Sequence, residues 1–166
     1  MSETSEARSR TVRWEDPDAG LMKALSMEGI DAVNAILKGE LPAAPMSRLL
    51  GIRGVEAEKG RVVVALEPAE YHSNGTGGVH GGLAASLIDS AAWLALHTEM
   101  PAGAFCSTLQ LNIHYVRPLR IGGGEVFAEG RVLHCGRTAA TAEASITDDR
   151  GKVLAHGTTH CTVLRP

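Results

Sequence analysis

The spacing of apolar residues changes character several times along the chain. The first twenty residues are polar and close on Glu15-Asp16-Pro17-Asp18, a composition that buries little surface and predicts a mobile or late-packing arm. Apolar residues then return at helical spacing from Leu21 to Lys38 (Leu21, Met22, Leu25, then Val33, Ile36, Leu37). Gly29 and Asp31 mark a break between two short helices, and Gly39 marks a stop. Pro42 and Pro45 predict a loop, with Pro45 opening a short helical turn through Leu50. After Gly51 the runs become β-rich: residues 52–58 and 61–67 flank Lys59-Gly60, the pattern of a hairpin. A polar, glycine-rich loop over residues 71–78 leads into a helix from about Gly81 to Thr98, ended by Met100-Pro101. That helix is nearly apolar all round (Leu83, Leu87, Ile88, Ala91, Leu94, Leu96), which predicts a place at the centre of a core.

Four long strand candidates follow with no helix between them: 105–117, 125–135, 137–147 and 152–164. Their connections, Gly122-Gly123-Gly124, Cys135-Gly136 and Asp148-Asp149-Arg150-Gly151, suit antiparallel neighbours and are too short for parallel crossovers. Two strands, one buried helix and four more strands make an α+β chain in which an antiparallel sheet of about six strands wraps a single long helix. With 166 residues there is room for one such domain. The expected division is an N-terminal arm with short helices over residues 1–50 and the domain proper over residues 51–166.

Composition narrows the partners. Lys and Arg number 16 against 19 Asp and Glu, with a pI near 6.1, so nucleic acid is not an expected partner. The residues from Leu21 to Lys38 present no basic recognition face either. Cys106, Cys135 and Cys161 are odd in number and form no C-x-x-C, which suggests neither a disulfide framework nor a zinc knuckle and favours a cytoplasmic setting. The opening residues have no apolar signal region, and the apolar run from Leu83 to Leu96 is shorter than a membrane span and broken by Asp89. No membrane association is expected.

Asp89 is the most informative residue, because a carboxylate among apolar neighbours costs several kcal/mol to bury unless it is paired. Two readings stand: a structural acid, or a reacting one. Val79-His80-Gly81-Gly82 opens the same helix, where free N–H groups and the positive end of the helix dipole could hold an oxyanion, or where glycines merely shape a tight loop. Nine residues separate His80 from Asp89, roughly 13 Å along a helix, so the two features cannot share one substrate atom within a monomer. Two subunits packed antiparallel would bring them together. Other chemistries fare worse. In Gly75-Thr76-Gly77-Gly78-Val79-His80 a histidine takes the third glycine position of a dinucleotide fingerprint, and no G-x-S-x-G elbow exists. His156 and His160 share a strand face without a completing ligand, so no metal is expected.

Taken jointly, Asn74-x2-Gly77-x-Val79-His80-Gly81-Gly82-x6-Asp89, then Asn112-Ile113-x-Tyr115-x2-Pro118 and Gly136-Arg137-Thr138, give a pattern over about residues 50–164 that resembles the PaaI-like acyl-CoA thioesterases of the hotdog fold. The resemblance implies an active site formed between two subunits of a homodimer, with a dimer of dimers as the larger assembly if the outer sheet face exposes apolar surface. It implies that Asp89 activates water or attacks the thioester, that the Gly81 N–H polarises the carbonyl, and that Asn74 orders the loop or the water. His80 would orient Asn74 and the carbonyl-binding turn, and Thr108 would help hold the water. For coenzyme A it points to Gly82, to Arg117-Pro118 and to Gly136-Arg137-Thr138, where cations could meet phosphates. No cofactor is implied beyond the coenzyme A of the substrate. The acyl group would be aromatic, short or medium; Trp93, Leu96 and Phe105 would line its pocket or simply fill the core. Two other readings remain open, an enoyl- or hydroxyacyl-CoA hydratase and a non-catalytic acyl-CoA-binding regulatory module.

Overall fold

A computed structural model describes residues 6–165. The hairpin at Lys59-Gly60 joins β1 (Arg53–Glu58) to β2 (Arg61–Leu66), and a 3-10 turn at Glu70–His72 leads to the long helix, Gly81–His97. After it come β3 (Phe105–Tyr115), β4 (Val126–Cys135), β5 (Ala139–Asp148) and β6 (Val153–Leu164). Three short helices precede them: α1 (Pro17–Leu25), α2 (Gly29–Leu37) and α3 (Pro45–Leu50), so the long helix is α4. All pairings are antiparallel, in the order β1-β2-β4-β5-β6-β3.

That order corrects one expectation. Gly122-Gly123-Gly124 does not join sheet neighbours: β3 lies at the far edge against β6, and β4 lies between β2 and β5. The connection after Tyr115 therefore crosses the end of the sheet past β6 and β5. A glycine-rich link permits a hairpin without enforcing one. Here β3 is placed by its long register with β6, from Phe105 opposite Leu164 to Tyr115 opposite Ala155. The other two short links do join neighbours.

The sheet holds α4 on its inner face. Leu87, Ile88, Ala91, Ala95 and Leu96 are fully buried there, with Val62, Val64, Ala128, Ala142 and Ile146 beneath them. At roughly 1.5–3 kcal/mol for each large apolar side chain removed from water, this cluster is the main stabilising element. Contact is closest at Gly130 on β4, where an added Cβ would lie 2.2 Å from the Ala91 carbonyl oxygen. The helix is not enclosed all round, however. Ala85, Asp89 and Trp93, one turn apart, form a half-buried stripe that the sheet leaves uncovered, and Gly81 and Gly82 at its start are exposed.

At the N-terminal side, α1 begins at Pro17, four residues earlier than the apolar spacing suggests. Proline sits in its first turn and the Asp16 carboxylate caps it, accepting from the Asp18 N–H at 3.0 Å. The same residues that read as a polar arm are thus a helix-start signal. Helix α2 docks through Gly29, whose N–H donates to the Met100 carbonyl at 2.9 Å and where a Cβ would lie 1.8 Å from the His97 oxygen. Its Val33 joins the main cluster. The preceding segment is tied down by Arg10, which donates to the Leu49 carbonyl at 2.7 Å and lies 3.9 Å over the Tyr71 ring. Among the described residues no helix is long and apolar enough to cross a membrane.

Two buried histidines make stability depend on pH. His97 is 6% exposed, its Nδ1 has no partner among the described residues, and burial lowers its pKa. His72 is likewise lowered, first by burial; its Nδ1 accepts from the Ala69 N–H at 3.0 Å and its Nε2 faces the Leu50 carbonyl at 3.0 Å, an arrangement that a second ring proton would break. In each case the unfolded chain binds the proton more tightly, so stability is fully present above the ordinary value of 6.5 and is lost as pH falls below it. Thermal melts between pH 7.5 and 5 are expected to show a falling Tm, with a shallower slope in His97→Gln; parallel slopes in both proteins would remove His97 as a source.

Candidate active site

Asp89 and Thr108 are brought together. The Thr108 hydroxyl donates to Asp89 Oδ1 at 3.0 Å, which joins α4 to the edge strand β3. Behind it the Cys161 thiol lies 3.8 Å from Thr108 Oγ1. The carboxylate is half-buried on the open stripe of α4 rather than enclosed in the core, as its apolar neighbours alone would suggest, because helical geometry points it away from β4 and β5. It therefore meets the surface while held by one defined hydrogen bond. The nearby thiols are poor candidates for the reacting group. Burial, followed by the neighbouring Cys161, pushes the Cys106 thiol up to about 12, and burial also raises Cys161.

The second centre is the start of α4. His80 is its N-cap: His80 Nδ1 accepts from the Gly82 N–H at 2.9 Å, and the His80 carbonyl accepts from the Leu83 N–H at 3.0 Å. The Gly81 N–H is left as the first open donor among the described residues, at the positive end of the helix. A Cβ at Gly82 would lie 2.9 Å from His80 Nδ1, so glycine there keeps this cap possible. Asn74 closes the preceding loop without help from His80. Its Oδ1 accepts from the Thr76 N–H at 2.9 Å, the Thr76 hydroxyl at 2.9 Å and the Gly78 N–H at 3.0 Å. No hydrogen bond joins His80 to Asn74 among the described residues; His80 Nδ1 caps the helix and Asn74 Oδ1 is filled by Thr76 and Gly78.

Sequence reasoning passed over the role of Tyr115. Its hydroxyl donates to the Gly81 carbonyl at 3.0 Å and so fixes the turn from the end of β3. Its only sequence signal is its place in the Asn112 to Pro118 segment. Beside it a cavity of about 320 Å³ opens between His80, Gly81, Tyr115, Arg117 and Pro118, which puts one predicted coenzyme A segment next to the predicted oxyanion donor.

Within one chain the remaining pieces stay apart. Gly81 and Asp89 are eight residues apart on α4, roughly 12 Å. Thr138 belongs to the other end of the sheet: its carbonyl accepts from the Val163 N–H at 2.9 Å, near the Phe105 end of β3, whereas Arg117 follows the Tyr115 end. The Gly136-Arg137-Thr138 turn and the Arg117-Pro118 loop are thus separated by the length of β3, roughly 30 Å. The unpaired side of β3 runs between them, with a register shift at Thr108/Gln110 and Leu109 65% exposed.

The acyl-lining candidates separate as well. Leu96 is core, Phe105 is half-buried at the start of β3, and Trp93 lies on the open stripe with its Nε1–H donating to the Cys106 carbonyl at 2.9 Å. On the outer sheet face His114 stacks on His156 at 5.1 Å and His160 Nδ1 lies 3.2 Å from the Thr141 hydroxyl. No group of three potential metal ligands occurs among the described residues. Across the middle of that face run Asn112, Thr158, Glu143 and Arg131, all exposed, so it is polar there rather than apolar.

Comparison with known proteins identifies the family and the fold. The thioesterase superfamily model matches residues 76–155. Human acyl-coenzyme A thioesterase 13 is 33% identical over 129 residues, covering 76% of this chain and 90% of that protein. The 1,4-dihydroxy-2-naphthoyl-CoA hydrolase of Listeria monocytogenes is 28% identical over 118 residues, covering 71% and 93%. Among solved structures, a phenylacetic acid degradation-related protein of Ralstonia eutropha superposes with a TM-score of 0.71 at 25% identity, covering 78% of this chain and 98% of that one. A Streptococcus mutans protein solved bound to acetyl CoA gives 0.63 at 28% identity, covering 69% and 89%. By sequence and by a six-stranded antiparallel sheet wrapped on one long helix, the chain belongs to the thioesterase superfamily, as a hotdog-fold thioester hydrolase of the PaaI-like group.

Proposed function

We propose that the protein hydrolyses acyl-CoA thioesters at a site shared by two copies of the chain, Asp89 and Thr108 coming from one and the Gly81 turn from the other. The observation that carries the reading is the Thr108–Asp89 hydrogen bond, set on the open stripe of α4 beside an unpaired strand edge. A reacting carboxylate and an oxyanion donor 12 Å apart in one chain become neighbours if β3 pairs antiparallel with the β3 of a second copy. The same pairing sets the Arg117-Pro118 loop of one copy near the Gly136-Arg137-Thr138 turn of the other, giving exposed cations for the phosphates of coenzyme A. The acyl-CoA names among the relatives and the acetyl CoA bound by one structural neighbour support that substrate class.

The chemistry follows from these groups. The carbonyl oxygen of the thioester accepts from the Gly81 N–H, where the helix dipole favours the charge that develops. A water held by Asp89 and Thr108 adds to the carbonyl carbon as Asp89 takes its proton. The carbon–sulfur bond then breaks, and the proton returns to the departing thiolate. Direct attack by Asp89, with an anhydride hydrolysed afterwards, uses the same residues. Asn74 holds the turn in shape, and His80 caps the helix. No cofactor takes part, and the free cysteines suit a reducing cytoplasmic setting.

A hydratase would need a histidine working with the carboxylate on carbon. The histidine nearest the predicted carbonyl site, His80, has its acceptor nitrogen engaged by Gly82. The test is thiol release from acetyl-, hexanoyl-, lauroyl-, benzoyl- and phenylacetyl-CoA, with crotonyl-CoA hydration measured in parallel. Release from at least one thioester is expected. Hydration without release would favour the hydratase, and binding without either reaction a regulatory module.

A further inference from the structure

Trp93 lies one turn beyond Asp89 on the open stripe of α4. Its indole is fixed: Nε1–H donates to the Cys106 carbonyl at 2.9 Å, and one face stacks on the His97 ring at 4.9 Å and 11°. His97 is in turn buried, and its backbone is pressed by Gly29 of α2. The opposite direction along the stripe is lined by the small residues Gly82, Ala85 and Ser86, and in the shared site proposed above it is taken by the α4 of the second copy. An acyl group that leaves the carbonyl at Asp89 therefore has free length only toward the indole.

We infer that Trp93 is the far wall of the acyl site and restricts the enzyme to compact acyl groups, a ring or a short chain. The inference rests on the reading of Asp89 as the reacting carboxylate. One helical turn, roughly 6 Å, separates the two residues along the axis, enough for an aromatic ring or a few methylenes. A long chain would have to expel the indole and break both its hydrogen bond and its stack. Cys106 and His97, which hold the ring in place, act as positioning residues for specificity without touching substrate.

The experiment measures kcat/KM for straight-chain acyl-CoAs from acetyl to palmitoyl, with benzoyl- and phenylacetyl-CoA, in the wild type and in Trp93→Ala, Trp93→Leu and Trp93→Phe. The quantity read is the long-to-short ratio within each protein, which cancels any loss of folded material. Wild type and Trp93→Phe are expected to favour compact groups, and Trp93→Ala and Trp93→Leu to raise the ratio by about tenfold or more, the scale of discrimination that a few methylenes provide. An unchanged ratio in both small variants, or palmitoyl-CoA turned over by the wild type as well as short esters, overturns the inference. No hydrolysis by the wild type of any ester would instead overturn the thioesterase reading on which it rests.

Discussion

Asp89→Asn is expected to lower kcat by roughly a hundredfold to ten-thousandfold, the range associated with losing a general acid–base or an activated nucleophile. The substitution isolates that function well. Asparagine keeps an oxygen where Thr108 donates its hydroxyl, and the position is half-buried, so Tm and acyl-CoA binding should stay close to wild type. Near-normal turnover would sink the assignment of Asp89. Sharing of the site has its own signature. Co-expression of Asp89→Asn with Gly81→Val, each inactive alone, would yield mixed dimers with one intact site, and about a quarter of wild-type activity under random pairing. Mixtures as inactive as the separate variants would place both residues in a single-chain mechanism.

Gly130→Val is expected to be strongly destabilising, because it sits where the sheet meets the helix backbone. An added Cβ would stand 2.2 Å from the Ala91 oxygen, 2.4 Å from its carbonyl carbon and 2.8 Å from the Ala92 nitrogen. All three are helix backbone, which cannot turn aside as a side chain can, so α4 would have to lift from β4. Overpacking of this kind costs about 3 kcal/mol or more, which for a chain of this size lowers Tm by about 10 °C. Gly75→Ala is the control: a Cβ there meets nothing within 4 Å, and its Tm should stay within about a degree of wild type. Equal melting of Gly130→Val and wild type would show that the helix does not rest on β4 as described.

Local pattern and tertiary placement were legible to different degrees. The long helix and the strands stood out because apolar runs between glycine and proline signals reflect local propensity. The place of β3 did not, because a ten-residue link past Gly122-Gly123-Gly124 is compatible with either neighbour, and only the pairing with β6 decides. The start of α1 was hidden because Asp16-Pro17 is both a polar tail and a helix cap. For the site, residue types and spacing brought out Asp89 and Gly81, and the family resemblance supplied Thr108. The open stripe was invisible, since Ala85 and Trp93 fall within a helix that is apolar nearly all round. Tyr115 was missed because its contact with Gly81 links positions 34 apart, a separation at which sequence carries no spacing signal.

The strand order also sets when the hydrogen bond between Thr108 and Asp89 can be held in place. β6 is the last strand in chain order, yet it is the one inserted between β5 and β3, and its Cys161 backs Thr108. During synthesis Asp89 and Thr108 emerge early, but β3 has no partner until residues 153–164 have left the ribosome. Pairings this distant in sequence close slowly, on the millisecond-to-second scale. Until then the long edge of β3 is open on both sides, the period in which a nascent chain depends most on chaperones.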